Sequence, residues 1–81
     1  MSNIIRYNRV FQTIFNTETE NFNSDFATET ISEWDSITHL SLITALEDEF
    51  DIMFDAADIL SFKSYDEGKE IVAKYGIEFN S

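Results

Sequence analysis

Cysteine and proline are both absent from these 81 residues, glycine occurs twice, and 5 lysines and arginines stand against 16 aspartates and glutamates. Each scarcity excludes something. Without cysteine there is no disulfide staple and no thiolate metal site, so stability must come from hydrophobic packing. A formal charge of −11 argues against nucleic acid, whose phosphates are bound by Lys and Arg that release counterions, and against anionic membranes for the same reason. No run approaches the ~18 apolar residues that span a bilayer. Met-Ser-Asn-Ile-Ile-Arg at the start lacks a long apolar core, so the protein is expected in the cytoplasm. A chain this short buries only about 60 to 65% of its unfolded surface. It is therefore read as one domain over 1–81, without room for a catalytic domain and its own substrate cleft.

What the chain does have is aromatic mass and one-sign charge. Eight Phe, three Tyr and one Trp can each bury about 150 Å² or more, which argues against a disordered acidic tail. Between Arg9 and Lys63 there is no Lys or Arg, and twelve acids fall there, from Glu18 to Asp58. Such a surface repels itself but speeds encounter with basic partners, so its expected use is recognition.

Residues 3–15 place Ile4, Tyr7, Phe11 and Ile14 at steps of three and four, flanked by Val10 and Phe15, the stripe of an amphipathic helix. The stretch 16–34 is rich in Asn, Thr, Ser and Glu and has no sustained period, but Phe22, Phe26 and Ile31 recur in it and are expected to pin a long loop to the core. A connection of this length is unusual in a small domain, so it is either a functional loop or contains a helical turn. From Asp35 the period sharpens. Ile37, Leu40, Ile43, Leu46 and Phe50, widened by Leu42, predict a helix over 36–50 with Asp35 as its N-cap. Thr38, Ser41, Thr44, Glu47 and Asp48 then fall on its solvent side. A short helix is expected at about 55–60, and Ser64-Tyr65-Asp66-Glu67 reads as a capping box opening a last helix at about 65–75, stopped by Gly76. Gly68 inside that helix costs about 1 kcal/mol against Ala, which points to close packing there. The expected fold is all-α, a small bundle of three main helices and one short one.

One place combines exposure, acidity and a hydroxyl: Glu33-Trp34-Asp35-Ser36-Ile37, where the long loop meets the strongest helix. Ser36 takes the first helical position. A helix amino terminus presents unpaired N–H groups and a partial positive charge, so a phosphate attached to a serine there is stabilised while the hydroxyl stays reachable. By itself, Asp-Ser before an apolar run more often marks a helix start and nothing else. The stretch from Asp35-Ser36-Ile37 to Glu47-Asp48-Glu49-Phe50-Asp51-Ile52, however, resembles the second helix of acyl and peptidyl carrier proteins. An Asp-Ser followed by an apolar residue, an apolar-patterned helix, an acidic cluster and a closing Phe recur in that family's register, and the order of elements along the chain follows it in looser form.

This resemblance implies an acyl-carrier-protein-like bundle in which Ser36 carries 4'-phosphopantetheine, donated from coenzyme A by a phosphopantetheinyl transferase, with acyl or aminoacyl cargo held as a thioester. It implies a monomeric, non-catalytic carrier presented to acyl or aminoacyl ligases and to acyltransferases or condensing enzymes with basic docking patches. Asp35, Glu47, Asp48 and Asp58 would be read by those patches. Thr38 and Ser41 share that partner-facing surface but stand where fatty-acid-synthesis carriers usually have acids. With Glu33-Trp34 and His39, this looks more like discrete carriers of specialised pathways. Bulky Phe54 and Phe62, at positions where such carriers often have smaller aliphatics, narrow any interior space for a long acyl chain.

Other readings of the same residues are weaker. His39, three after Ser36, invites a hydrolase, but a single exposed helix turn offers no oxyanion hole and no Gly-rich elbow. A partner contact or a polar surface role is expected for His39, and packing of the long loop for Trp34. The acids from Asp48 to Asp58 lack the Asp-x-Asp-x-Asp-Gly spacing and terminal Glu of a calcium loop. The main alternative to a carrier is an unmodified acidic helical module that binds a basic protein surface.

Overall fold

Helix α1 (Asn3–Phe15) begins where Ser2 Oγ accepts from the Ile5 N–H and ends at Asn16, whose left-handed backbone (φ 52°) turns the chain and returns its own N–H to the Gln12 carbonyl. Asn tolerates that conformation better than most residues, and in a chain so poor in glycine it takes the glycine's usual place. The structure is a computed structural model describing residues 2–23 and 25–79, so the limits 1 and 81 of the expected domain lie outside the described residues. After α1 the loop makes a 3-10 turn (Thr19–Asn21), followed by α2 (Ser36–Phe50), α3 (Ala56–Ser61) and α4 (Tyr65–Ala73). The fold is all-α. Among the described residues an isolated antiparallel bridge, Ala27 to Ser64, is the nearest approach to a strand.

The core is aromatic. Phe11 sits at its centre, with its ring centroid 4.8 Å from Tyr7, 5.9 Å from Trp34, 5.2 Å from Tyr65 and 6.3 Å from Phe62. Phe26 is buried and Phe22 and Ile31 pack against the same cluster, so the loop is pinned as its spacing suggests. The loop is also tied by backbone bonds, Thr28 N–H to the Lys63 carbonyl and Tyr65 N–H to the Phe26 carbonyl. Tyr7, fully buried, donates its hydroxyl to the Tyr65 carbonyl at 2.8 Å and thereby joins α1 to α4. Burial is the main reason its pKa is raised well above 10.0. The Arg6 guanidinium lies 4.7 Å over the Phe50 ring and its Nε meets Glu49 at 2.7 Å, clamping α1 to the end of α2.

The capping of α4 follows Ser64, whose Oγ accepts from the Glu67 N–H at 3.0 Å, while the Glu67 side chain stays exposed. That helix is shorter than its apolar stripe suggests. It ends at Ala73, and Tyr75 lies in the turn that follows, where its hydroxyl accepts from the Asp55 N–H at 3.0 Å. Gly76 (φ 92°) closes this turn rather than the helix itself. Gly68 faces the core: a Cβ there would lie far inside contact distance of the Phe62 ring and the Tyr7 hydroxyl.

Helix α2 corrects the inward stripe read from the sequence. Leu42, Ile43, Leu46 and Phe50 are buried, but Ile37 is 79% and Leu40 60% exposed. The inward position one turn before Ile43 is filled by His39 instead. Stepping back by three or four residues from Phe50 through Leu46 and Leu42 does reach His39, so the polar ring lies on the buried face and Leu40 on the open one. Asp51 ends the helix as Asn16 ends α1, with a left-handed backbone (φ 54°) and its N–H on the Glu47 carbonyl.

Candidate functional site

Ser36 is the first residue of α2, exposed, and preceded by an exposed Asp35 that caps the helix by accepting the Thr38 N–H on Oδ1 at 2.8 Å. That backbone donor is the chief reason the Asp35 carboxyl is held below the ordinary carboxylate range. The cap leaves the first helical N–H groups pointing outward beside the Ser36 hydroxyl, at the positive end of a 15-residue helix. Such an end suits a phosphodiester.

What positions Ser36 is the pair on either side of it. Trp34, 5% exposed, stands just before the cap, and its indole N–H donates to His39 Nδ1 at 3.0 Å. The residue before a cap commonly packs on the fourth helical residue and fixes the angle at which the chain enters the helix. Here that contact is a hydrogen bond between stacked rings with centroids 6.2 Å apart. Because Nδ1 accepts, the neutral ring carries its proton on Nε2, which donates to the Ile59 carbonyl of α3 at 2.8 Å. His39 is thus a structural joint, not the partner contact or surface group expected for it. Its acceptor nitrogen is turned onto Trp34 and not onto Ser36, so the two side chains do not form the serine–histidine pair of a hydrolase in this structure. The packing role expected for Trp34 matches its place against Phe11, Phe15 and Phe26.

A surface cleft of about 460 Å³ opens next to Ser36, between the start of α2 and α3. Leu40, Ile59 and Leu60 wall it, Phe62 lies at its base, and Thr28 and Lys63 add polar groups. Lys63 is the first Lys or Arg after Arg9, and nothing in its local sequence marks it, since it lies 27 positions from Ser36. The bridge and the Thr28–Lys63 backbone bond bring it to the cleft. A second hollow, about 510 Å³, lies in the long loop among Phe15, Asn21 and Asp25 and shares no lining residue with the Ser36 cleft.

The remaining expected site residues divide. Ser41 and Asp48 are exposed on α2, and Thr38 is half-buried. Glu47 departs from its expected solvent position. It is half-buried, and its carboxylate accepts from the Phe54 N–H at 2.9 Å, closing the turn after α2. Asp58 departs further. It is 8% exposed, receives the Lys74 ammonium at 2.5 Å and the Tyr75 hydroxyl at 2.6 Å, and ties α3 to the end of α4. The Lys74 bond, then Tyr75, lowers its pKa. It therefore adds little to the outward acidic field that its place in the sequence suggested. In its place the face around Ser36 displays apolar side chains: Ile37, Leu40 and Leu60, the last 76% exposed.

Among the described residues, no helix is long and apolar enough to cross a membrane. No family model matches the chain, and no curated protein matches it significantly. A solved structure does: a Mycobacterium tuberculosis protein assigned as an acyl carrier protein, 29% identical, with a TM-score of 0.74 over 85% of this chain and 92% of that one.

Proposed function

We propose that the chain, which shares its fold with the acyl carrier protein structure it is similar to, is a carrier whose Ser36 is the attachment point of 4'-phosphopantetheine. The observation that carries this reading is the exposed Ser36 hydroxyl on the first turn of α2, behind an Asp35 cap and at the mouth of a cleft. The residues suit the group. Outward N–H groups at the helix start and Lys63 across the cleft favour a phosphodiester, and Leu40, Ile59 and Leu60 offer apolar surface to an amide-linked arm. When attached, the group supplies the thiol that the cysteine-free chain lacks and holds acyl or aminoacyl cargo as a thioester.

The protein's own part is to present and be recognised. On modification the Ser36 oxygen would displace adenosine 3',5'-bisphosphate at the pyrophosphate of coenzyme A, the P–O bond to that leaving group breaking as the bond to Ser36 forms and the hydroxyl proton is lost. Asp35 holds the first turn, and Trp34 and His39 fix the angle of the helix that displays it. Partners, which in this reading are a phosphopantetheinyl transferase and the ligases, acyltransferases or condensing enzymes that load and unload cargo, would meet an apolar centre of Ile37, Leu40 and Leu60. Asp35 and Asp48, with Thr38 and Ser41 between them, form its polar surround. Interfaces of this kind draw affinity from the desolvated centre and on-rate from the charged rim.

The test is intact mass. Unmodified protein incubated with coenzyme A and a promiscuous phosphopantetheinyl transferase should gain one phosphopantetheine, and Ser36→Ala should gain none. No gain in the wild type, or an equal gain in the alanine variant, overturns the assignment and leaves the acidic interaction module.

A further inference from the structure

We propose that Trp34, His39 and the Ile59 carbonyl form a proton-operated joint: neutral His39 holds α3 against the start of α2, and uptake of a proton by His39 frees α3 beside Ser36. The bearing of this joint on cargo rests on the carrier reading above, whereas the joint itself does not.

The argument is one of hydrogen-bond parity. His39 accepts from Trp34 on one nitrogen and donates to Ile59 from the other. A protonated imidazole has donors on both nitrogens and no acceptor. The Trp34 indole N–H would then face an N–H, and the two bonds cannot coexist. Trp34 is the partner that cannot yield. It is 5% exposed and ringed by Phe11, Phe15, Phe26 and Phe62, while His39 is half-buried on the edge of the cleft. The imidazolium therefore swings toward solvent and takes with it the bond to Ile59.

Helix α3 is built to respond. It has 6 residues, of which Ala56, Ala57, Leu60 and Ser61 are exposed. On the α4 side it is held by Asp58, bound to Lys74 and Tyr75, and on the α2 side by His39. Losing the second attachment leaves α3 hinged on the first, and the wall of the cleft formed by Ile59 and Leu60 moves with it. The charged groups sharing the cleft with the ring are Asp35 from its own helix and Lys63 from the segment after α3. Asp58 is turned away onto Lys74. Asp35 and Asp58 both have carboxyls held below their ordinary range, so both stay ionised over the mildly acidic range in which the joint is tested.

Trp34 is the sole tryptophan, so one indole N–H resonance reports the joint. In the unmodified full chain, lowering the pH from 8 to 5 should shift that resonance. It should also speed amide exchange of residues 56–61 by roughly five- to tenfold after correction for the intrinsic rate, the loss of a hydrogen bond or two. Two variants separate the mechanism from general acid loosening. His39→Gln keeps an acceptor and a donor but has no proton to gain, and Trp34→Phe removes the opposing donor so that a protonated His39 can stay on Ile59. Exchange in α3 should become pH-independent in both. A wild type with flat exchange across this range overturns the joint, as does a Trp34→Phe protein that loosens like the wild type. Should Trp34→Phe fail to fold, His39→Gln alone decides: α3 that still loosens with acid in that variant refutes the mechanism. The rate of modification at Ser36, measured at both pH values, then reads the link to cargo. A protein that is never modified yet shows the exchange response defeats the carrier reading and leaves the joint standing.

Discussion

Gly68→Ala is the perturbation whose outcome the packing decides most sharply, because two effects of known size oppose each other there. In the middle of an exposed helix the change adds about 1 kcal/mol of helix propensity. At this position the new methyl would press on the Phe62 ring and the Tyr7 hydroxyl, and neither can give way easily. Phe62 is 1% and Tyr7 0% exposed, and Tyr7 is further fixed by its hydrogen bond to the Tyr65 carbonyl. Overpacking a filled core costs about 1–3 kcal/mol and more where backbone must move. With both neighbours fixed the upper end applies, so the net effect should be a loss of about 2 kcal/mol, seen as a fall in Tm of roughly 8–16 °C for a domain of this size. Thermal and urea unfolding followed by circular dichroism measure it. Phe62→Leu in the same protein should restore part of the loss, with a coupling of about 1 kcal/mol or more in the double-mutant cycle. A Gly68→Ala protein as stable as the wild type, or more stable, would mean that the space above Gly68 is open and that the close approach of α4 to the core is wrong.

Two more outcomes follow from the charged groups. Asp58 has its pKa lowered from 3.8 by Lys74 and then Tyr75, so its contribution is complete above the unfolded-state value and is lost as pH falls through the lower folded one. The stability gap between wild type and Asp58→Asn should hold steady from pH 7 to about pH 4 and close below it; a gap undiminished at pH 2 rules out the ionic clasp. On α2, Asp48→Lys should slow modification of Ser36 severalfold at low salt while leaving Tm unchanged. Its neighbour Glu47→Lys should in addition cost about 1.5–3 kcal/mol, because the Phe54 N–H loses a charged acceptor. Equal melting temperatures for these two variants would contradict the division between a surface and a structural acid.

The parts of this fold that were legible in the sequence are those set by local rules. The stripe of α1, the Asp35 cap and the aromatic pins of the loop can each be read within a few residues. The misreadings share one cause: a side chain's role was settled by a partner far along the chain. Counting apolar residues places Leu40 on the inward face of α2. The structure puts His39 there because Trp34 and Ile59 supply its hydrogen bonds, and a polar ring satisfied on both sides is as good an interior residue as a leucine. Asp58 reads as surface charge until Lys74 and Tyr75, 16 and 17 positions on, fold over it. Glu47 reads the same way until the turn after α2 brings the Phe54 N–H back to it. The helix start at position 36 could be read from its cap, but the approach of Lys63 to it could not, since nothing near either residue announces the bridge that joins the loop to the segment before α4.

That bridge also changes what kind of segment the long loop is. By pairing with residues 63–65 it is fastened across the connection between the end of α3 and the beginning of α4. Substitutions in the polar stretch between α1 and α2 that disturb this pairing should therefore be felt at Lys63, on the edge of the cleft. The surroundings of Ser36 can thus be altered by changes that touch neither that serine nor the helix displaying it.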